Sequence, residues 1–149
     1  MIKLDYQIAF KDFYYPQKSE ILLWLDTAYK ILELKSKFEL TIRIVDNAEI
    51  QELNKTYRAK DYPTNVLSFP FDDNLLPNLL GDIVIASQII KKEAEEQAKE
   101  LQHHWTHIII HGFLHLLGYD HIEDEEAEEM EGLEIKILKE LNIKNPYIS

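Results

Sequence analysis

Residues His111–His121 have the sequence His-Gly-Phe-Leu-His-Leu-Leu-Gly-Tyr-Asp-His, and the interpretation of the whole chain starts from this stretch. Residues four apart share one face of a helix, so His111 and His115 can direct their imidazoles to one point. Gly118 can take the left-handed conformation that ends a helix, which lets the chain turn and bring His121 to the same point. Three neutral imidazoles with a fourth position open are typical of a catalytic zinc site. The stretch therefore predicts a metal-binding helix and turn, with zinc as the default among the metals that imidazole binds.

The spacing of the histidines matches the H-E-x-x-H-x-x-G-x-x-H motif of the metzincin proteases, with one departure. Gly112 stands where those proteases have the glutamate that activates the attacking water. A metal ion alone can lower the pKa of water to ~7. The motif therefore favours hydrolysis in general and weakens the assignment to a peptidase.

The composition limits the class of protein. The chain has 149 residues, enough for one domain with its own core, and no cysteine, which excludes disulfides and thiolate zinc ligands. No charged-then-apolar leader opens the chain and no apolar run is long enough to span a bilayer. We therefore expect a cytoplasmic protein without a membrane partner.

The net charge of −11 is concentrated in residues 93–140, which hold 14 acidic and 3 basic side chains. The acidic run Glu123–Glu134 is expected to be one solvated helix face. Phosphate neutralisation requires lysine and arginine, so a nucleic-acid function must use a local basic patch.

Hydrophobic periodicity and turn residues divide the chain into strands and helices. Strands are predicted at residues 2–10, 38–45, 65–70 and 81–86, and helices at 19–34, 47–57, 87–102, 104–117 and 124–141. Ser19, Asp46 or Asn47, and Asp124 are the expected N-caps, and residues 72–80 are expected to form a loop. The pattern predicts a single α+β domain over residues 1–149. About four strands form a mixed sheet with four to five helices, and the nearly apolar helix 104–117 is at the centre.

Arg58 is the best candidate for binding an anion, because a guanidinium is always charged and can hold a phosphate through two hydrogen bonds. It lies in a polar segment with Lys55 and Lys60 close by. An equally good reading is a surface arginine in a salt bridge.

Several other polar residues near the motif each have two possible interpretations. His107 is one helical turn before His111 and is expected to be a hydrogen-bonded core histidine, with a role beside the metal as the alternative. Asp82 and Asp120 are candidates to accept a hydrogen bond from a metal ligand, or are surface residues. The adjacent histidines 103 and 104 are expected on the surface.

From about residue 40 to its end, the chain resembles the YbeY family of metal-dependent endoribonucleases. The resemblance rests mainly on the HGxLHLxGYDH pattern at residues 111–121. The segments NKTYR at 54–58, TNVLSFP at 64–70 and GDI at 81–83 follow in the family's order. One departure is Asn65, where the family usually has aspartate.

The resemblance implies an α+β domain with zinc held by His111, His115 and His121, and a functional requirement for Arg58. It also implies cleavage of single-stranded RNA, 16S rRNA 3′-end maturation and ribosome quality control, with the ribosome or its small subunit and associated factors as partners. Arg58, His111 and His115 are then the catalytic candidates, and the general base is unassigned, with His107 and Asp82 as candidates. Two alternatives stay open: another metallohydrolase, such as a peptidase or phosphoesterase, and a non-catalytic ribosome-assembly factor with structural zinc.

Overall fold

The computed structural model describes residues 1–71 and 78–148, in which strands and helices alternate. The strands are β1 (Ile2–Ile8), β2 (Phe38–Val45), β3 (Val66–Pro70) and β4 (Leu79–Ala86). The helices are α1 (Lys18–Ile31), α2 (Asn47–Arg58), α3 (Ser87–Glu96), α4 (Leu101–Leu116) and α5 (Asp124–Glu140). The predicted α+β fold with a four-stranded mixed sheet and five helices is confirmed.

The four strands form one sheet in the order β1-β2-β4-β3. β1, β2 and β4 are parallel, and parallel neighbours need a crossover connection, which α1 supplies between β1 and β2. β3 runs antiparallel to β4 at the edge of the sheet, with Ser68 opposite Ile83. The edge position agrees with Pro70 at its end, because proline cannot donate a ladder hydrogen bond.

The sheet is covered on both faces. Successive side chains of β4 point to opposite sides, so β4 contributes to the core on each face. Ile83 and Ile85 belong to the larger core, which α1, α4 and α5 complete. Val84 and Ala86 belong to a smaller core that is closed by Ile50 of α2. Burial of apolar area at ~25 cal/mol per Å² drives this assembly.

Helix α4 lies at the centre of the larger core, as its apolar sequence predicted. It contacts β3, β4 and three other helices, and the side chains of Trp105 and Phe113 are fully buried. A helix held on so many sides gives its histidines fixed positions.

Two of the predicted helix N-caps are wrong. α1 begins at Lys18, after a capping box in which the backbone N–H of Gln17 donates to Glu20 Oε1 at 3.1 Å, so Ser19 is not its N-cap. Glu123 holds the N-cap position of α5, without a capping hydrogen bond from its side chain, and Asp124 is the first helical residue. Asp46, one of the two caps predicted for α2, does accept the N–H of Glu49 at 2.9 Å.

Two element boundaries also differ from those predicted. α3 ends at Glu96, well before residue 102, because Ala98 takes a left-handed backbone with φ of 53°. β4 begins at Leu79, so the last two residues of the loop predicted at 72–80 are strand. Residues 72–77 of that loop lie outside the described residues. Within residues 1–71 and 78–148, no helix has the length and apolar character needed to cross a bilayer.

Candidate metal centre

The end of α4 carries two histidines that face each other. The Nε2 atoms of His111 and His115 lie 3.1 Å apart, and their ring centroids are separated by 4.6 Å. This follows from their spacing of four residues, which places them one turn apart on the same helix face. Their two ring nitrogens therefore point to a common position.

The turn after α4 brings in the third histidine. Gly118 has φ of +104°, the N–H of Gly118 donates to His115 O at 3.0 Å, and the N–H of Tyr119 donates to Leu114 O at 3.0 Å. These two bonds form the Schellman motif, which ends a helix at a left-handed residue. The chain then reverses, and the His121 ring lies 5.5 and 5.0 Å from the His111 and His115 rings.

The donor set fits a metal ion. One ligand nitrogen from each of the three histidines lies within 4.8 Å of the others. Within residues 1–71 and 78–148, no fourth ligand residue joins this group. The His121 side chain is 56% exposed, so the group opens to solvent on that side. Three protein ligands with access from solvent are typical of a catalytic rather than a structural site.

The electrostatics at His115 favour a neutral imidazole, which is the form that binds metal. Burial lowers the pKa of His115, and the neighbouring His111 and His121 lower it further because their positive charges would repel. A metal ion bound at the common position would therefore meet little competition from protons at His115.

The carboxylate partner of the histidines is Glu134 on α5. Its Oε1 accepts a hydrogen bond from His111 Nδ1 at 2.7 Å, and its side chain is only 1% exposed. Burial alone would raise the pKa of Glu134, yet hydrogen bonds from His107 and His111 lower it from 4.5 to about 2. The prediction that the acidic run through Glu134 is one solvated face is wrong at this residue.

A sequence signal for Glu134 does exist. Met130, Glu134 and Ile137 follow the i, i+4, i+7 spacing of one helix face, and all three are buried. An acidic residue within an apolar stripe indicates a buried charge with hydrogen-bond partners. Treating residues 123–134 as one acidic run obscures this signal.

His107 is the hydrogen-bonded core histidine that the sequence favoured. Its Nε2 donates to Glu134 Oε2 at 2.8 Å, and its side chain is 12% exposed. Burial lowers its pKa, although the hydrogen bond to Glu134 acts in the opposite direction.

His104 is buried, so its predicted surface position is wrong. Its Nε2 lies 2.9 Å from Glu93 Oε1, and Asn65 Nδ2 donates to the same carboxylate at 3.2 and 3.3 Å. This pairing gives a reason for asparagine at position 65, because an amide can donate to Glu93 and an aspartate cannot. His103 lies at the surface and pairs with Glu100 at 2.9 Å.

The two aspartates proposed as histidine partners have different positions. Asp82 is exposed on β4. Asp120 Oδ1 accepts the backbone N–H of His121 at 2.7 Å and lies 3.9 Å from its Nδ1. Asp120 thus borders the group, whereas the buried partner is Glu134.

Arg58 ends α2 and is exposed, and Ala59 with φ of 57° turns the chain immediately after it. Its Nη2 donates to Ser68 O on β3 at 3.2 Å. Within the described residues, its hydrogen bond goes to this strand and not to a histidine. α4 packs against the same strand, so Arg58 and the histidine-bearing helix both contact β3.

Fold and site together define an α+β protein whose central helix and following turn present three histidines able to hold a metal ion. The family model described as Endoribonuclease YbeY matches residues 10–142, and the chain belongs to the YbeY family. The match begins well before residue 40, where the resemblance was expected to start.

Two relatives extend this comparison. The chain is 53% identical over 151 residues to the Endoribonuclease YbeY of Colwellia psychrerythraea (strain 34H), covering 97% of this chain and 96% of that protein. The solution structure of TM1509 from Thermotoga maritima matches with a TM-score of 0.62 and 25% identity, covering 95% of this chain and 92% of the other.

Proposed function

We propose that this protein is a zinc-dependent endoribonuclease that cleaves single-stranded RNA. We place it in 16S rRNA 3′-end maturation and ribosome quality control, in contact with the small ribosomal subunit in the cytoplasm. The observation that carries the proposal is the convergence of three imidazoles at the end of α4. Membership of a family described as an endoribonuclease supports RNA as the substrate.

His111, His115 and His121 would hold the zinc ion through their ring nitrogens. When bound, zinc supplies Lewis-acid activation of water at neutral pH. His111 keeps its Nδ1 proton on Glu134, which leaves Nε2 available at the shared position. The exposed side of His121 provides the direction from which a phosphodiester can approach.

Gly112 supports a phosphodiester rather than a peptide substrate. A Cβ at this position would lie 3.1 Å from side-chain atoms of the buried Ile83, so a glutamate there would require Ile83 to shift. The glutamate on which that peptidase mechanism relies is replaced by Gly112, which weakens the peptidase alternative.

Arg58 is proposed to bind a phosphate of the RNA. A guanidinium has five N–H donors, so the single bond to Ser68 anchors the side chain while other donors can contact phosphate oxygens. Lys55 and Lys60 are exposed nearby, and the exposed Tyr57 ring stacks edge-on against Phe69 at 5.3 Å. Cations beside an aromatic face suit single-stranded nucleic acid.

The test is cleavage of an end-labelled single-stranded fragment of 16S rRNA, with bound metal measured on the same samples. Wild type with and without chelator is compared with His115→Ala, Arg58→Ala and Arg43→Ala. Arg43 is the other arginine of the chain and is paired with Glu49 at 2.8 Å, which makes it the matched control. We expect chelation, His115→Ala and Arg58→Ala to abolish or strongly reduce cleavage, and Arg43→Ala to retain it.

Four results would contradict the proposal or a part of it. Full activity of Arg58→Ala with metal bound would remove the role given to Arg58. Metal binding without cleavage would favour an assembly factor, and chelator-sensitive cleavage of casein would favour a peptidase. Cleavage that survives chelation and both substitutions would indicate a contaminating nuclease.

A further inference from the structure

We propose that Glu134 and Tyr147 are positioning residues of the metal centre, which together fix the orientation and the tautomer of His111. This inference rests on the proposed metal-binding role of the three histidines. It assigns a function to α5 and to residues 145–147, which contribute no ligand of their own to the three-histidine group.

Glu134 is the centre of this arrangement. A buried carboxylate is costly unless hydrogen-bond donors surround it. Three donors do so here: His111 to Oε1, and both His107 and the Tyr147 hydroxyl to Oε2. A buried, fully hydrogen-bonded carboxylate cannot rotate without breaking several of these bonds at once.

The consequence for His111 concerns its two ring nitrogens. With the proton on Nδ1, His111 donates to Glu134 Oε1 at 2.7 Å, and the lone pair of Nε2 faces His115. In the other tautomer, a lone pair would face a carboxylate oxygen at that distance. Glu134 thus selects the tautomer that presents Nε2 at the shared position, as buried carboxylates do for metal-bound histidines.

His107 and Tyr147 hold the far side of the carboxylate. His107 Nδ1 is buried without a hydrogen-bond partner within the described residues, so the ring proton belongs on Nε2, which donates to Glu134 Oε2 at 2.8 Å. The Tyr147 ring stands edge-on to His107, with 5.4 Å between ring centroids. Occupation of Oε2 by both groups leaves Oε1 for His111.

The segment that carries Tyr147 is tied to the body of the protein. The backbone N–H of Tyr147 donates to Asn145 Oδ1 at 2.8 Å. Lys99 Nζ, in the turn between α3 and α4, donates to Pro146 O at 3.0 Å. These bonds bring residues 145–147 against the helix that carries the histidines, so the Tyr147 hydroxyl reaches Glu134 from a defined direction.

His107, His111 and Glu134 are also close enough to hold a metal ion of their own. Such a site would require His111 to give up the Nδ1 proton that Glu134 accepts and would break the bonds just described. The positioning role therefore predicts one zinc ion per chain, whereas a second site predicts two.

The test measures Zn²⁺ affinity by competition with a chromophoric chelator, together with zinc stoichiometry and the Tm of the metal-free protein. The variants are Glu134→Gln, Tyr147→Phe and the double substitution. Tyr29→Phe is the matched control, because it removes a tyrosine hydroxyl bond to Ser36 O, of 2.7 Å, elsewhere in the fold. Tyr147 is 46% exposed, so its substitution is compatible with folding even where that of the buried Glu134 is not.

We expect Glu134→Gln to weaken Zn²⁺ binding by about 10- to 100-fold. Tyr147→Phe should weaken it by about two- to tenfold. The double variant should bind about as weakly as Glu134→Gln alone, because Tyr147 acts through Glu134. Tyr29→Phe should bind like the wild type, and the wild type should hold one zinc ion per chain.

Two results would overturn this inference without overturning the proposed function. One is wild-type affinity in both variants with a lowered Tm, which would show a merely structural role. The other is a wild type with two zinc ions. In either case zinc-dependent RNA cleavage by the wild type would leave the proposed function standing, whereas a wild type that binds no zinc would overturn both.

Discussion

The backbone of Gly112 lies so close to Ile83 that an added Cβ would be 3.1 Å from both its Cδ1 and its Cγ2. Ile83 is fully buried in the central strand β4, so it has little freedom to move away. The departure from the metzincin motif therefore has a structural cause: glycine lets α4 rest directly on the sheet.

The two helical glycines of the chain should respond to alanine in opposite directions. Gly132 on α5 has open space around it, so Gly132→Ala should stabilise the fold by about 0.5–1 kcal/mol through helix propensity. Gly112→Ala gains the same propensity but overpacks the core, at a cost of about 1–3 kcal/mol. Urea unfolding of both variants measures the difference. Equal stabilisation by both would show that Ile83 can give way.

Gly118→Ala should lower stability and weaken metal binding together. Its φ of +104° strains any residue with a side chain, although no atom would touch the new Cβ. We expect a loss of about 1–2 kcal/mol in the free energy of unfolding. Because the turn places His121, the rise in Tm on adding Zn²⁺ should also shrink. A variant with an unchanged zinc response would mean that His121 does not depend on this turn.

Asn65→Asp should destabilise the fold at neutral pH and much less in acid. Burial would raise the pKa of Glu93, but hydrogen bonds from His104 and Asn65 lower it below the ordinary 4.5. A group with a lowered folded-state pKa stabilises the fold above its unfolded pKa and loses that effect as the pH falls through the folded value. The substitution replaces a donor by a second carboxylate, so we expect a cost of about 1–3 kcal/mol at pH 7 that declines below about pH 4.5.

The effect of Asn65→Asp on its pairing with Glu93 is measured as Tm as a function of pH. Asn145→Asp is the matched control, because Asn145 uses its oxygen to accept the N–H of Tyr147 at 2.8 Å and a carboxylate keeps that role. A pH-independent deficit in Asn65→Asp would show that packing, rather than charge, explains the loss.

A comparison of Arg58→Lys with Arg58→Ala should separate the contribution of positive charge to RNA cleavage from that of hydrogen-bond geometry. Arg58→Ala should lower kcat/KM by about 10- to 100-fold, which corresponds to the loss of a hydrogen bond to a charged group. Arg58→Lys should recover only part of this loss, because an ammonium lacks the planar fork that grips a phosphate. Single-turnover cleavage at several salt concentrations provides the readout. Full recovery by lysine would indicate simple charge attraction.

The sequence predicted the features that depend on neighbours along the chain. The spacing of His111, His115 and His121 with Gly118 was sufficient to predict converging imidazoles, because a helix and its C-cap are local structures. The strands and helices could be found for the same reason. The left-handed Ala98 that separates α3 from α4 could not, because neither glycine nor proline marks it.

The features that the sequence did not reveal depend on contacts between distant segments. Glu134 is separated from His111 by a turn and most of a helix, and only the packing of α5 on α4 brings them together. The burial of His104 likewise depends on Glu93 and Asn65 from two other elements. A buried polar residue can be recognised from sequence only by its place in an apolar stripe. The sequence does not show which residue it contacts.

α5 and α2 lie on opposite sides of the sheet, which separates the acidic start of α5 from three basic side chains near the end of α2. The first turns of α5 expose Glu123–Glu126 and the pair Glu128 and Glu129, whereas Lys55, Arg58 and Lys60 lie beyond the other face. We expect the exposed acidic residues of α5 to repel a polyanion and the basic side chains near the end of α2 to attract it. On the proposed role in cleaving single-stranded RNA, this separation of charge should favour a narrow single strand over an extended duplex, which would contact a broader part of the surface.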